Sequence, residues 1–292
     1  MKILLFGGAG QLGLEIQKRK ALKNANIIAP LEQELDITNL QKVASLVSQV
    51  NPEVIINAAA YTAVDNAEDD TERAYCVNRD GVAVLAEAAK KAKAKFIHIS
   101  TDYVFDGSAE APIKEEDPVN PLGIYGKSKL EGEKRLQEIY PDNSLIVRTS
   151  SLHGQFGGNF VHTMIKLFEE REEIEVVNDQ WMSPTWAGWL AEILLDLCEI
   201  NTTAGVLHAS CAGGLSWYEF ALAIQELTGG QLRTSIKTTI KPVSADIYKR
   251  PAPRPRYSVF DCSRLGKVLG RKPIPWLNGL KNHLNDIGYS VD

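Results

Sequence analysis

Through the first half of this chain, short apolar runs of strand length alternate with stretches where apolar residues recur at helical spacing. Residues 3–6 (Ile-Leu-Leu-Phe) are uniformly apolar and stop at Gly7, the pattern of a strand buried on both faces. Residues 26–29 and 54–57 predict two further strands, and residues 96–100 a fourth. Between them, Val43, Leu46, Val47 and Val50 fall on one face of a helix over residues 40–50, and residues 73–92 predict one long helix. Strands separated by helices of this length pair in parallel through crossover connections. The expected fold class is therefore α/β, a doubly wound parallel sheet of the Rossmann type with a smaller C-terminal substrate-binding lobe. Ligands are expected at the carboxyl ends of the strands.

The alternation fades near residue 150. Irregular stretches follow at residues 154–158 and 179–185, and in the basic, proline-rich run Arg250-Pro251-Ala252-Pro253-Arg254-Pro255-Arg256. Long loops in a compact enzyme serve as lids or binding loops. The expected division is a dinucleotide-binding domain carrying the catalytic residues over 1–150. Residues 151–292 are then mainly a substrate-binding lobe, with segments that return to the first domain.

Composition narrows the function classes. The 292 residues are 44% hydrophobic and 24% charged, which suits a globular chain. A net charge of -5 leaves no basic excess for a nucleic-acid backbone, so no nucleic-acid partner is expected. Cys76, Cys198, Cys211 and Cys262 form neither a C-x-x-C pair nor a zinc-finger spacing, and are read as reduced thiols of a cytoplasmic protein. The apolar run after Lys2 is too short for a secretory signal. No apolar stretch reaches membrane-spanning length, so no membrane partner is expected.

The candidate chemistry begins where the first strand ends. Gly7-x-x-Gly10-Gln11-Leu12-Gly13 sits between a strand and a helix, so its glycines allow a tight turn and a pyrophosphate can approach the helix N-terminus. Asp36-Ile37 follows the second strand at the distance of an adenosine. Asp36 either contacts that group or caps the helix beginning near Thr38 or Asn39. The segment Ala29-Pro30-Leu31-Glu32 holds no arginine for a 2′-phosphate, and Glu32 would repel one, so NADH is weakly favoured over NADPH. Ala58, Ala59, Ala60, Tyr61 and Thr62 follow the third strand, where small side chains let a flat cofactor lie against the backbone.

Tyr125-Gly126-Lys127-Ser128-Lys129 is the strongest signal. A spacing of four puts Tyr125 and Lys129 on one face of a helix. A free phenol has a pKa near ~10, and an ammonium beside it is expected to lower that value toward the range of acid–base catalysis. Thr101, in Ser100-Thr101-Asp102 at the end of the fourth strand, supplies a hydroxyl for the same carbonyl oxygen.

Together these residues resemble the extended short-chain dehydrogenase/reductase pattern. The run Ser100-Thr101-Asp102-Tyr103-Val104-Phe105-Asp106-Gly107 is similar to the corresponding run of dTDP-4-dehydrorhamnose reductases. Residues 57–62 with Ala63-Val64-Asp65, Pro121 leading into Tyr125, Asn178-Asp179-Gln180 with Pro184-Thr185, and Arg254-Pro255 with Ser258 and Asp261 extend the likeness to about Leu284. The resemblance implies reduction of the C4 ketone of dTDP-4-dehydro-L-rhamnose to dTDP-L-rhamnose with NADPH or NADH. Tyr125 would donate the proton, Lys129 tune Tyr125, and Thr101 orient the carbonyl. Thr101, Asp102, Tyr125, Ser151 and Arg254 would contact the nucleotide-sugar. One departure concerns Ser151: the family commonly has a tryptophan after Arg-Thr-Ser, and Trp181 or Trp186 is the candidate replacement for that aromatic wall. Some members bridge a homodimer through Mg²⁺. Glu15 and Asp286 are candidate ligands, but Gly188 stands where a further carboxylate is expected, so the pair is read as exposed helix charges and no metal is predicted. The alternatives are another nucleotide-sugar epimerase, dehydratase or reductase of the superfamily, or a non-catalytic regulatory subunit on the same fold.

Overall fold

The computed structural model describes residues 1–200, 204–233 and 236–291. The first half runs β1 (Lys2–Phe6), α1 (Gln11–Lys18), β2 (Asn26–Ile28), α2 (Leu40–Val50), β3 (Val54–Asn57), α3 (Thr71–Tyr75), α4 (Val82–Ala92), β4 (Lys95–Thr101), α5 (Ile124–Ile139) and β5 (Ser144–Thr149). The second half adds β6 (Leu152–His153), α6 (Phe160–Glu170), β7 (Glu173–Val177), β8 (Trp181–Met182), β9 (Thr185–Trp186) and α7 (Ala187–Glu199). It continues with β10 (Gly205–His208), β11 (Leu215–Ser216), α8 (Trp217–Thr228), β12 (Thr239–Val243), β13 (Tyr257–Ser258), α9 (Ser263–Leu269) and α10 (Trp276–Asp286).

A six-stranded, all-parallel sheet has the order β10-β5-β4-β3-β1-β2. Its strands alternate buried side chains between two faces. Ile3, Leu5, Ile56 and Ile97 pack on one face with Ile16 of α1 and Leu190, Ile193 and Leu194 of α7. Leu4, Phe6, Ile55 and Phe96 pack on the other with Val43 of α2, Leu85 of α4 and Leu136 of α5. Burial on both faces explains why these strands are continuously apolar in the sequence. From β1 the chain passes to β2 on one side and later to β3 on the other. That reversal opens a crevice at the carboxyl ends of β1 and β3, where Gly7 and Ala58 emerge.

The long helix expected over residues 73–92 is interrupted. A π-helical segment at Cys76–Gly81 separates α3 from α4. Its wider turn places Asn78 inside the protein, where its Nδ2 donates to Tyr61 O (3.1 Å) and to Ser128 Oγ (3.0 Å). Apolar spacing over so short a run does not reveal the extra residue that an i→i+5 turn accommodates.

Part of the second half completes the sheet, since β10 pairs with β5 and α7 packs against α1. The remainder forms a separate cluster around Phe168, Ile174, Met182, Phe220, Ile224 and Leu280. Among the described residues no helix is long and apolar enough to cross a membrane. The four cysteines are unpaired, and Cys198, Cys211 and Cys262 are buried.

Candidate active site

Two cavities flank the carboxyl ends of the central strands. The first, about 240 Å³, is lined by Gly7, Gly8, Gly10, Glu32, Asp36, Ile37, Ala58, Ala59, Ala60, Thr62 and Arg73. Gly7 has φ +79°, and a Cβ there would meet the Ala58 carbonyl carbon and Ala59 nitrogen at 2.5 Å. Glycine is therefore required for β1 and β3 to lie this close at the cavity floor. Gly10, the N-cap of α1, has no side-chain cap, so the first N–H groups of that helix are free for an anion. The cradle suits the adenosine and phosphate portion of a dinucleotide.

Gln11, Leu12 and Gly13 supply the backbone N–H groups of that helix terminus, while they and Tyr61 are not among the residues lining the cavity. Leu12 belongs to the core, Gly13 packs on the Gly7 turn, and the Gln11 Oε1 accepts from Asn159 Nδ2 (2.9 Å). Tyr61 is held through its backbone by Asn78. Asn39, not Asp36, caps α2, accepting from Lys42 N at 3.0 Å. Asp36 Oδ1 instead accepts from Thr38 N and Oγ1, and these bonds with the Arg73 charge hold its carboxyl below the ordinary range. The second strand offers no arginine, yet α3 delivers one. Arg73 lies 3.8 Å from Glu32 and 3.9 Å from Asp36, so the reading of that strand as hostile to a 2′-phosphate is incomplete.

Thr101 and Tyr125 meet beside Tyr103, which lines the second cavity, whereas neither they nor Lys129 are among the residues lining either cavity. Thr101 ends β4, where its Oγ1 accepts from Tyr103 N (3.2 Å), donates to Asp102 Oδ1 (3.1 Å) and hydrogen-bonds the Tyr125 phenol. Burial raises the Tyr125 pKa well above its usual value, with only the Thr101 bond opposing the shift. Burial thus works against the lowering expected from Lys129 and favours the neutral phenol. Lys129 turns toward the strands, its Nζ donating to Ile99 O (2.7 Å) and lying 3.3 Å from His98 Nε2. Burial pushes its pKa down to about 8, opposed by the Glu133 charge. Asp102 is also buried, which raises its pKa against hydrogen bonds from Ser258, Ser150 and Thr101.

The second cavity, about 420 Å³, is lined by Tyr103, Phe160, Thr163, Met164, Glu175, Gln180, Trp217, Tyr248, Arg250 and Arg254, among others. Tyr103 connects it to the first site, its ring edge-on to Tyr125 with centroids 5.5 Å apart. Ser151 adopts φ +46° and hydrogen-bonds Ser150, which donates to Asp102 Oδ2 at 2.8 Å. Neither candidate tryptophan lines the cavity. Trp186 is buried under Arg19, and Trp181 pairs in a small sheet. Its aromatic wall comes from Trp217 and Phe160, whose rings lie 4.7 Å apart, with Tyr103 and Tyr248. Arg250 and Arg254 line the cavity but Arg256 does not. Trp217 and Phe160 belong to no motif in the sequence, and only the packing of α6 against α8 brings their rings together.

Residues 1–288 match the family described as RmlD substrate binding domain. The chain belongs to that family. It is 39% identical over 287 residues to a dTDP-4-dehydrorhamnose reductase of Aggregatibacter actinomycetemcomitans, covering 96% of this chain and 97% of the relative. The crystal structure of such a reductase from Clostridium acetobutylicum superposes with a TM-score of 0.92 at 41% identity, covering 98% of this chain and 99% of that one. A Bacillus anthracis reductase solved in complex with NADP has the same TM-score at 36% identity and the same coverage. Within this family framework, the Glu15 and Asp286 positions differ from the exposed helix charges expected. Glu15 is fully buried against Arg19, which also reaches Glu192 (3.2 Å) and stacks on Trp186. Asp286 pairs with Lys18 at 3.0 Å.

Proposed function

We propose that this protein reduces the C4 ketone of dTDP-4-dehydro-L-rhamnose to a hydroxyl, giving dTDP-L-rhamnose, with NADPH or NADH as reductant. One observation carries this reading: the buried Tyr125 phenol meets Thr101 beside Tyr103, at the wall of an aromatic, arginine-lined cavity and at the same carboxyl end of the sheet as the glycine-turn cradle. The nicotinamide cofactor would supply a hydride. Gly7, Gly10, Ala58, Ala59, Ala60 and Thr62 would hold it by close backbone approach.

Thr101 and Tyr125 would receive the ketone oxygen, Thr101 orienting it and Tyr125 delivering a proton to it. The Lys129 charge would favour the phenolate as that proton leaves. Asp102, bridged to Ser150 and Thr101, would fix the hydroxyl side of the sugar pocket. Trp217 and Phe160 offer ring faces for a pyrimidine base, and Arg250 and Arg254 offer guanidinium groups for the diphosphate. Residues 1–150 would then carry the cofactor and the chemistry, and most of 151–292 the nucleotide-sugar. On this reading the protein works in the cytoplasm, and a homodimer is its proposed assembly, checked by sedimentation.

The test is nicotinamide oxidation across a panel of nucleotide 4-ketosugars. Turnover of dTDP-4-dehydro-L-rhamnose to dTDP-L-rhamnose supports the proposal. No turnover with it, against turnover of another nucleotide or sugar, replaces the substrate, and turnover of none removes the catalytic reading.

A further inference from the structure

Behind Lys129 lies a buried polar chain that the proposed reaction does not use. Asn57 ends β3 and His98 sits beside it on β4, the two being register partners in the sheet. Both are fully buried, and Lys129 of α5 packs over them at 2% exposure. Three contacts run in sequence: Ala59 N to Asn57 Oδ1 (3.0 Å), Asn57 Nδ2 to His98 Nδ1 (3.1 Å), and His98 Nε2 to Lys129 Nζ (3.3 Å).

The first contact fixes the rest. A backbone N–H can only donate, so the Asn57 atom facing Ala59 must be its oxygen, and its NH₂ must face His98. An NH₂ has no acceptor capacity, so His98 Nδ1 must be bare. Burial keeps the His98 ring neutral. A neutral imidazole with a bare Nδ1 carries its proton on Nε2, and that N–H points at Lys129. An ammonium there would set donor against donor, whereas a neutral amine accepts through its lone pair and still donates to Ile99 O.

Resting on the proposed catalytic reading, we infer that Asn57 and His98 are positioning residues that lock one imidazole tautomer, so that the Lys129 amine receives a hydrogen bond from His98 that its ammonium cannot, and the lysine gives up its proton more readily. The other groups around the lysine are Tyr125 one turn earlier on α5, and Glu133 one turn later. Arg148 of β5 clamps Glu133 at 2.6 Å and reduces its pull on the lysine proton. The low pKa of Lys129 then has two causes acting together, burial and the fixed donor.

The decisive measurement is nitrogen NMR of histidine-labelled protein near neutral pH, without substrate. A bare Nδ1 and a protonated Nε2 at His98 are expected, and a protonated Nδ1 or an imidazolium overturns the inference. Because no turnover is read, an error in the proposed substrate leaves this result standing. Two variants extend the test. Asn57→Asp supplies a carboxylate that accepts Nδ1–H, so the His98 proton should move to Nδ1. His98→Phe removes the donor without adding charge. In both, the alkaline limb of kcat for ketone reduction should move upward by about one pH unit. A limb that moves only in Asn57→Asp reports the added charge and overturns the tautomer lock, as does a limb that moves in neither. If either variant fails to fold, the spectrum of the unmodified protein decides.

Discussion

Arg254 grips Asp65 through both ends of its guanidinium group, Nη1 to Oδ1 at 2.9 Å and Nη2 to Oδ2 at 2.8 Å. The pair ties the proline-rich segment of the second half to the turn that follows β3. It also holds Arg254 at the wall of the second cavity beside Tyr103. A two-pronged ion pair fixes the plane of the arginine, and a fixed plane presents its remaining N–H groups in one direction.

Arg254→Ala should therefore raise KM for the nucleotide-sugar by about 10-fold or more, the scale of a lost charge-assisted hydrogen bond. The constant for the nicotinamide should stay unchanged. Asp65→Asn should give a smaller loss of the same kind, since the arginine remains but is less firmly aimed. Separate titration of the two ligands checks this. Equal loss of both would point to a disturbed fold, and loss of neither would leave the pair a structural tie alone.

Tyr125→Phe keeps the ring against Tyr103 and removes the proton donor. Turnover should fall by on the order of 10² or more, with cofactor binding retained. Near-normal turnover in this variant would remove Tyr125 from the reaction.

Lys129 connects activity to stability. Burial brings its pKa from 10.5 down to about 8. Below pH 8 the folded and unfolded chains both carry the proton, and the folded chain bears the full cost of the buried charge, on the order of 3 kcal/mol. Between pH 8 and about 10.5 the unfolded chain binds more protons, so stability contributed here rises with pH and the cost fades. Lys129→Met should thus raise the denaturant midpoint at pH 7, less the hydrogen bond to Ile99, while abolishing most turnover. The stability gap between variant and parent should narrow as pH approaches 10. A variant less stable than the parent at pH 7 would contradict this account.

Arg73 stands against Glu32 and Asp36 at separations too long for tight pairing, which leaves it able to meet a further anion. Arg73→Gln should raise KM for NADPH by about 10-fold and leave NADH nearly unchanged, because only NADPH carries the 2′-phosphate. Glu32→Arg should act in the opposite sense. Parallel kinetics with the two reductants tests both, and an unchanged NADPH-to-NADH ratio in Arg73→Gln would place the 2′-phosphate elsewhere.

The sequence alone determined four of the five strands of the first half and the order of its chemistry, but not β5 or the break between α3 and α4. Buried parallel strands are short apolar runs, and the glycine turn, Thr101, Tyr125 and Lys129 lie at the ends of predictable elements. Local spacing carries that information because strand and helix periods are properties of neighbouring residues. The tertiary structure decided what meets across those elements. It brought Arg73 from α3 to the adenosine end of the cleft, Trp217 and Phe160 from α8 and α6 to the aromatic wall, and Asn57 with His98 beneath Lys129. It also raised the Tyr125 pKa where spacing suggested a fall, because burial in the assembled site outweighs a lysine that turns toward Ile99. None of these contacts has a period along the chain. Each depends on how far a side chain is from water and from groups distant in sequence, and both are fixed only when the layers pack.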